Sequence, residues 1–338
     1  MSHADATLWP TVHVVMPVVN EERHLEAAVR RIIDQDYPGS LDVTMAVGPS
    51  RDHTMDVARR LAAANSRVHL VENPSGKTPA GLNAAIASRA ADVVVRVDGH
   101  AMIPNDYVRV GVETLQRTGA DNVGGLMAAE GVSAFEQSVA QAMRSRFGVG
   151  DASFHVGGDE GPALTVYLGC FRSSALERVG GFDESMVRAQ DWELNLRIRN
   201  TGGIVWFTPQ MAVTYRPRST PAALARQYHD YGRWRREVVR RHPETVSLRY
   251  LAAPVTVAVI ALGVVLAVVG LALDQSTLVL AGLVPAAVYL VGNLVASAWT
   301  ALSQRVPRVP VVLGLPVAFA VMHGAWGAGF LRGAKGHG

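Results

Sequence analysis

From Val12 onward, short apolar runs alternate with longer stretches in which apolar residues recur at helical spacing. Val12–Met16 reads as a strand, and Asn20 follows as a candidate helix N-cap. Leu25, Ala28, Val29, Ile32 and Ile33 then repeat on one helical face. Leu41–Val47 predicts a second strand, His53–Ala64 a helix, Val68–Val71 a third strand, Thr78–Ala90 a helix and Asp92–Val97 a fourth strand. That order implies an α/β fold, with a mostly parallel sheet covered on both faces. Ligands on such sheets bind beyond the carboxyl ends of the strands. Pro17–Glu22, Gly48–Asp52 and Asp98–His100 all fall at those ends. Phe147–Pro162 is rich in glycine and lacks a period, as expected of a mobile loop over a site.

After Tyr250 the pattern changes. Leu251–Leu273 carries no charge, and after Asp274 the next formal charge is Arg305. Val309–Leu331 is apolar again except for His323. Roughly 20 apolar residues cross a bilayer core, so three membrane segments are expected, at 251–273, 277–301 and 309–331. The alternative is a buried helical bundle. Pro310 and Pro316 make the third segment kinked or re-entrant. The expected organisation is an α/β domain at 1–220, a basic amphipathic interfacial helix at 221–248 and a membrane domain at 249–335.

Composition sharpens this division. Apolar residues make up 49% of the chain and charged ones 18%, and the apolar excess lies after Tyr250. Arg216–Arg249 holds nine arginines and abuts the first membrane segment. By the positive-inside rule this places the large domain on the cytoplasmic side of the cell membrane. The same cluster could serve nucleic acid, but the adjacent bilayer accounts for it, so no nucleic-acid partner is expected. Arg332 and Lys335 conflict with three crossings, and a re-entrant third segment would remove the conflict. The run Val12–Val19 is too short for a leader and is broken by His13 and Pro17. Cys170 is the one cysteine, so no internal disulfide forms, and it reads as a small core residue.

The stretch "VVVRVDGHAMIP", Val93–Pro104, ends an apolar run on Asp98, Gly99 and His100. In an extended chain residues two apart point to one side, so Asp98 and His100 could approach one cation together. A carboxylate plus an imidazole suits Mn²⁺, or Mg²⁺ bridged through diphosphate oxygens. A strand ending in Asp-Gly is also an ordinary turn. Arg96 shares a face with Asp98 and could pair with it. Lys77, one of two lysines, precedes a helix and could meet a phosphate or simply be solvated. Glu193 could orient a site or lie on the surface. Trp234 and Arg235 could meet a lipid diphosphate at the membrane surface or merely anchor the helix there.

Three segments in order carry a family resemblance: Pro17-Val18-Val19-Asn20-Glu21-Glu22, Asp98-x-His100, and Gln190-Asp191-Trp192-Glu193, with Gly180-Gly181-Phe182-Asp183-Glu184 just before the last. Together they resemble the family 2 glycosyltransferases, whose nucleotide-binding fold is called GT-A. The resemblance covers about 12–240. "RVDGHA" and "QYHDYGRWRREVVRRHP" are most similar to the succinoglycan-type exopolysaccharide glycosyltransferases, which carry C-terminal membrane helices. The resemblance implies that Pro17, Asn20 and Glu21 line the nucleotide pocket, with Asp52, Lys77 and Asp98 also on the donor. It implies that Asp98 and His100 hold Mn²⁺ or Mg²⁺, and that Asp191 is the base for an inverting attack by an acceptor hydroxyl. Gln190, Trp234 and Arg235 would then meet the acceptor. The implied donor is a nucleotide sugar, UDP-linked, and the implied acceptor is polyprenyl-linked.

Two positions depart from the family pattern. The second strand ends in Val47-Gly48-Pro49-Ser50 where the family has a pair of aspartates, and Asp52 matches only the later one. His100 replaces the last aspartate of the metal motif, which keeps a ligand but removes a charge. These departures leave two rival readings: a polyprenyl-phosphate sugar synthase, which needs no general base, and a catalytically silent membrane scaffold.

Overall fold

The computed structural model describes residues 9–333. Its contacts divide the chain into two compact units. The first comprises the chain through Ala128 together with Ala152–Tyr215, and the second Ala129–Asp151 together with the chain from Arg216 onward.

The first unit begins with β1 (Val12–Val18), α1 (Leu25–Ile33), β2 (Leu41–Val47), α2 (Thr54–Ala64), β3 (Val68–Glu72), α3 (Thr78–Ser88) and β4 (Val93–Arg96). It continues through α4 (Tyr107–Thr118), β5 (Asn122–Gly125) and β6 (Met127–Ala129). The second unit then takes α5 (Ala134–Met143) and the short α6 (Arg146–Val149). Back in the first unit come α7 (Ser153–Val156), β7 (Gly161–Pro162), β8 (Tyr167–Arg172), α8 (Ser173–Val179), α9 (Gln190–Asn200), β9 (Val205–Phe207) and β10 (Val213–Tyr215). The glycine-rich stretch expected to be an irregular loop instead contains α6 and α7, each closed by a glycine with positive φ, Gly150 and Gly157.

The main sheet runs β3-β2-β1-β4-β8-β5-β9-β7. The four strands expected from the sequence are parallel, as expected, and lie side by side in the order β3-β2-β1-β4. β8 is antiparallel to both neighbours, β4 and β5. β10 pairs with β6 in a separate ribbon. Successive β1 residues face opposite sides of the sheet, as the pleat requires. Val14 and Met16 enter a core with Leu25, Val29, Ile32 and Leu115. Val15 enters the other core, with Leu82, Val94, Phe171, Leu194 and Ile198. Cys170 is fully buried.

The second unit adds α10 (Pro221–Arg241), α11 (Leu248–Ala272), α12 (Ser276–Ser303) and α13 (Val309–Arg332). Residues Pro243–Thr245 form a 3₁₀ turn between α10 and α11. α11, α12 and α13, of 25, 28 and 24 residues, are each long and apolar enough to cross a bilayer. α11 and α12 form a hairpin turned at Asp274, which has a φ of 52°. Gly263 and Gly282 let their backbones meet: a side chain at either would collide with the other's carbonyl oxygen. α5 starts in a capping box, Ser133 Oγ accepting from Glu136 N while the Glu136 carboxylate accepts from Ser133 N. Lys335, part of the charge conflict above, lies outside the described residues.

Candidate active site

β4 ends at Arg96, and Asp98 follows two residues later on the same side. Arg96 is 5% exposed. Its Nε and Nη2 donate to Asp98 Oδ1 at 3.0 and 2.9 Å, and its Nη1 donates to Asp191 Oδ1. A buried guanidinium is costly unless it is paired and hydrogen-bonded. Burial pulls its pKa down, but the carboxylates of Asp191 and Asp98 outweigh this and hold it charged. Asp191 lies in the first turn of α9, where a carboxylate is favoured by the helix dipole. Burial raises its carboxyl pKa, Arg96 works against that rise, and Asp98 adds to it.

His100 does not sit on an extended strand beside Asp98, as the alternation argument expects. Asp98–Ala101 turns, with Ala101 N donating to Asp98 O at 2.8 Å. The imidazole therefore swings toward the end of β1, where its Nδ1 lies 2.7 Å from Glu21 Oε1. Gly99 makes this possible, because a side chain there would press against Glu21 Cγ at 3.2 Å. The close approach that Gly99 permits in this structure is thus by Glu21.

One cleft gathers part of the candidate set. Pro17, Glu21, Arg96, Asp98, His100 and Gln190 line it, together with Asn73, Thr78 and Arg188. Gln190, the first residue of α9, is 8% exposed. Lys77 is exposed at the entry to α3, between the lining residues Gly76 and Thr78. Asn20 and Asp52 line a second recess with Glu22 and His24. Asn20 is not a helix N-cap. It adopts a left-handed conformation, φ 56°, and its Oδ1 accepts from Arg51 N at 2.8 Å, while α1 begins at Leu25. Asp52 accepts from Thr54 N at 3.1 Å and from Glu22 N at 3.3 Å, and its bonds with Thr54 lower its carboxyl pKa. These contacts stitch the loops after β1 and β2 together. Trp234 and Arg235 belong to α10 of the second unit, where the Arg235 guanidinium stacks 4.3 Å from the Tyr250 ring.

Glu193 turns away from the surface. It is 4% exposed and pairs with Arg197 at 2.6 Å. Arg197 in turn donates to Gly181 O at 2.8 Å, so the Gly180-Gly181 turn is clamped to α9. Arg188 is the site residue that the sequence offered no reason to single out. It stands three residues before Asp191 in a segment without a period, and only the folded loop brings it to the cleft.

No group of three or more His, Cys, Asp and Glu side chains forms a ready metal cage among the described residues. Glu21, Asp98 and His100 nonetheless share the cleft, and two carboxylates with an imidazole are a hard-to-borderline donor set that fits Mn²⁺ or Mg²⁺ when ligand oxygens complete the shell.

Comparison with known proteins agrees with this architecture. The family model described as "Glycosyltransferase like family 2" matches residues 10–236. The succinoglycan biosynthesis protein ExoA of Rhizobium meliloti (strain 1021) is 35% identical over 321 residues, covering 94% of this chain and 93% of that protein. A dolichyl N-acetyl-α-D-glucosaminyl phosphate 3-β-D-2,3-diacetamido-2,3-dideoxy-β-D-glucuronosyltransferase of Methanococcus voltae is 24% identical, covering 68% of this chain and 74% of that protein. Among solved structures, the mannosyltransferase PcManGT from Pyrobaculum calidifontis, in complex with GDP-Man and Mn²⁺, superposes with a TM-score of 0.58 at 21% identity. It covers 94% of this chain and 87% of that one. With a GT-A-like sheet, a family match over two thirds of its length and a relative aligned nearly end to end, the chain belongs to glycosyltransferase family 2.

Proposed function

We propose that this enzyme is a membrane-anchored, inverting glycosyltransferase that moves a sugar from a nucleotide sugar, UDP-linked, to a polyprenyl-linked acceptor at the cytoplasmic face of the cell membrane. The observation that carries the reading is the buried Arg96, which draws Asp98 from the end of β4 and Asp191 from the start of α9 to one guanidinium. Asp191 is the general base. A hydroxyl is a weak nucleophile, and a positioned carboxylate takes its proton as the oxygen attacks the anomeric carbon. Burial keeps Asp191 more basic than a solvated aspartate, which suits that task. One in-line displacement inverts the anomeric centre.

Asp98, with His100 and Glu21 beside it, would hold Mn²⁺ or Mg²⁺ against the donor diphosphate, and the cation would offset charge on the leaving group. Pro17 fixes the backbone at the end of β1 that faces the donor. Asn20 and Asp52 hold the two strand-end loops over which the nucleotide lies, and Lys77 meets a phosphate from the entry to α3. Gln190 meets the acceptor in the cleft of the first unit, and Trp234 and Arg235, on α10 of the second unit, would meet a lipid diphosphate at the membrane surface. The Methanococcus relative, whose name gives it a dolichyl phosphate-linked sugar as acceptor, supports a lipid-linked acceptor here.

The experiment is a donor screen followed by one variant. UDP-, GDP- and dTDP-sugars are tested for thermal stabilisation of the detergent-solubilised protein with and without Mn²⁺. Transfer by the parent and by Asp191→Asn is then compared on a polyprenyl-linked acceptor. Stabilisation by a GDP-sugar alone would overturn the UDP assignment. Full transfer by Asp191→Asn onto a bare lipid phosphate would favour the synthase reading, since a phosphate nucleophile needs no base.

A further inference from the structure

α13 meets the α11–α12 hairpin at three points along its own length. Asn293 Nδ2 donates to Pro316 O at 3.0 Å, the Tyr289 hydroxyl lies 3.1 Å from His323 Nδ1, and a side chain on Gly327 would collide with Ala253 O. The hairpin's own register places these points at one level. Gly263 faces Gly282 and Gly270 faces Val279, so Asn293 and Tyr289 stand across from the turns of α11 that contain Ala253 and Val257. A helix running alongside the hairpin would advance its partners step for step. From Pro316 to Gly327 α13 advances about 16 Å, yet its partners stay within one or two turns of the same depth. α13 therefore runs across the hairpin, near the end where α11 begins.

The rest of the hairpin agrees. Beyond Val259 the buried residues of α11 are Gly263, Ala267 and Gly270, and each of them faces α12. Leu262, Val265, Leu266, Val269 and Leu271 are exposed, so α13 does not cover the distal half. α13 is instead flanked by polar helices for its whole length. Ser138 of α5 donates to Val311 O at 2.9 Å, His323 Nε2 lies 2.8 Å from Phe147 O, and Arg236 and Arg233 of α10 donate to Phe330 O and Gly333 O at 3.2 and 3.1 Å. Were α13 upright in a bilayer, α5 with Glu136 and Arg144 and α10 with its arginines would flank opposite ends of a span, and one would be drawn through hydrocarbon. Between its ends, α13 leaves one apolar stripe exposed, Leu313, Val317, Ala320, Ala328 and Leu331, and Val309, Pro310 and Arg332 are exposed at its termini.

We infer that α13 does not cross the membrane: it lies in the plane of the bilayer interface with α5 and α10, its exposed stripe toward the acyl chains, and the chain crosses twice. In-plane helices of this kind bury their apolar face about 5–10 Å below the head groups, the depth at which α13 meets the first turns of α11. Asp274 is then across the membrane, while Arg332 returns to the side of the catalytic unit, which removes the charge conflict. The inference rests on the membrane reading of the hairpin but not on which side the catalytic unit faces.

Single-cysteine labelling tests it in the full-length protein. The native Cys170 is buried, with its thiol pKa pushed up by that burial, and stays silent. Arg59→Cys, Asp274→Cys and Arg332→Cys are each treated with a membrane-impermeant maleimide in intact cells and in permeabilised cells. Arg332→Cys is expected to label under the same condition as Arg59→Cys, and Asp274→Cys under the opposite one. Arg332→Cys labelling together with Asp274→Cys would establish three crossings and overturn the inference. All three labelling alike would show that even the hairpin does not cross, and would overturn the membrane reading as well. A second measurement uses nitroxides at Leu313→Cys, Val317→Cys and Leu331→Cys in liposomes. A common shallow depth is expected, whereas a steady change of depth over the roughly 27 Å between the outer two would overturn the in-plane arrangement.

Discussion

Arg96 and Asp191 are 95 positions apart in the chain and joined by a direct ion pair, with the arginine buried. Asp98 completes the group, so a single guanidinium pairs with two carboxylates that would otherwise repel each other. Arg96→Met leaves two half-buried carboxylates, 22% and 26% exposed, without a cation. It is expected to destabilise the first unit by about 1–3 kcal/mol, below the roughly 3–5 kcal/mol for breaking a fully buried pair from one side. Arg96→Lys should cost less, and adding Asp98→Asn and Asp191→Asn to Arg96→Met should recover much of the loss. The denaturation midpoint in detergent checks this, and a fully stable Arg96→Met would sink the argument.

Asp191→Asn is expected to leave donor affinity nearly unchanged and to lower turnover by roughly 10²-fold or more. The asparagine keeps the shape of the first turn of α9 but cannot take a proton. A variant that lost donor binding while keeping turnover would mark Asp191 as a binding residue instead.

The raised pKa of Asp191 sets the direction of a pH effect. The base works as the carboxylate, so activity falls as pH drops through its pKa. Because burial lifts that pKa, the acidic limb of kcat should lie above the value of about 3.9 for a solvated aspartate. The parent's pH profile locates the limb. The residual activity of Asp191→Asn should lack it.

Asp98→Ala is expected to abolish metal-dependent nucleotide binding while the fold survives, since Asp98 follows β4 instead of lying within the sheet. Calorimetry with nucleotide plus Mn²⁺ reads this directly. Unchanged affinity would remove Asp98 from the metal assignment.

His13 gives a stability signature unrelated to catalysis. It is 1% exposed in β1, hydrogen-bonded to Thr44 Oγ1 at 2.8 Å, and burial lowers its pKa from 6.5 to about 4. The unfolded chain binds a proton at His13 below its unperturbed value of about 6.5, whereas the folded chain resists it. Stability contributed by the neutral imidazole is therefore present above that pH and is lost as pH falls toward 4. The loss over this window is on the order of 3 kcal/mol. His13→Gln should flatten that part of the stability–pH curve, as read by thermal unfolding across the range.

Membrane retention tests the second unit. The full chain is expected to resist high-salt washing and to need detergent, because hydrocarbon burial does not respond to screening as charge attraction does. A chain ending at Arg241 would expose the faces of α5 and α10 that pack on α13. It is expected to aggregate or stay membrane-bound, unless residues 130–151 are also replaced by a short linker. Release of the full chain by salt alone would contradict the hairpin's membrane placement.

Local pattern determined a great deal of this protein. The alternation of apolar residues located β1 to β4 and the helices between them, because period and length are properties of each segment alone. The charge-free runs after Tyr250 likewise marked α11 to α13. The order of the Asn-Glu-Glu, Asp-x-His and Gln-Asp segments identified the family. Tertiary structure decided what depends on long-range pairing. The antiparallel insertion of β8 between β4 and β5 is invisible in the strand's own composition, since edge partners are chosen by the whole sheet. The turn at Gly99 sent His100 to Glu21 and left Arg96 as the partner of Asp98, because one φ/ψ change redirects every following side chain. Arg188 reached the cleft through a loop with no period to read. The apolar run of α13 satisfied the length and composition of a membrane span, yet its direction depended on which helices it packs against. Hydropathy reports what a helix can be buried in, and only its contacts report which way it lies.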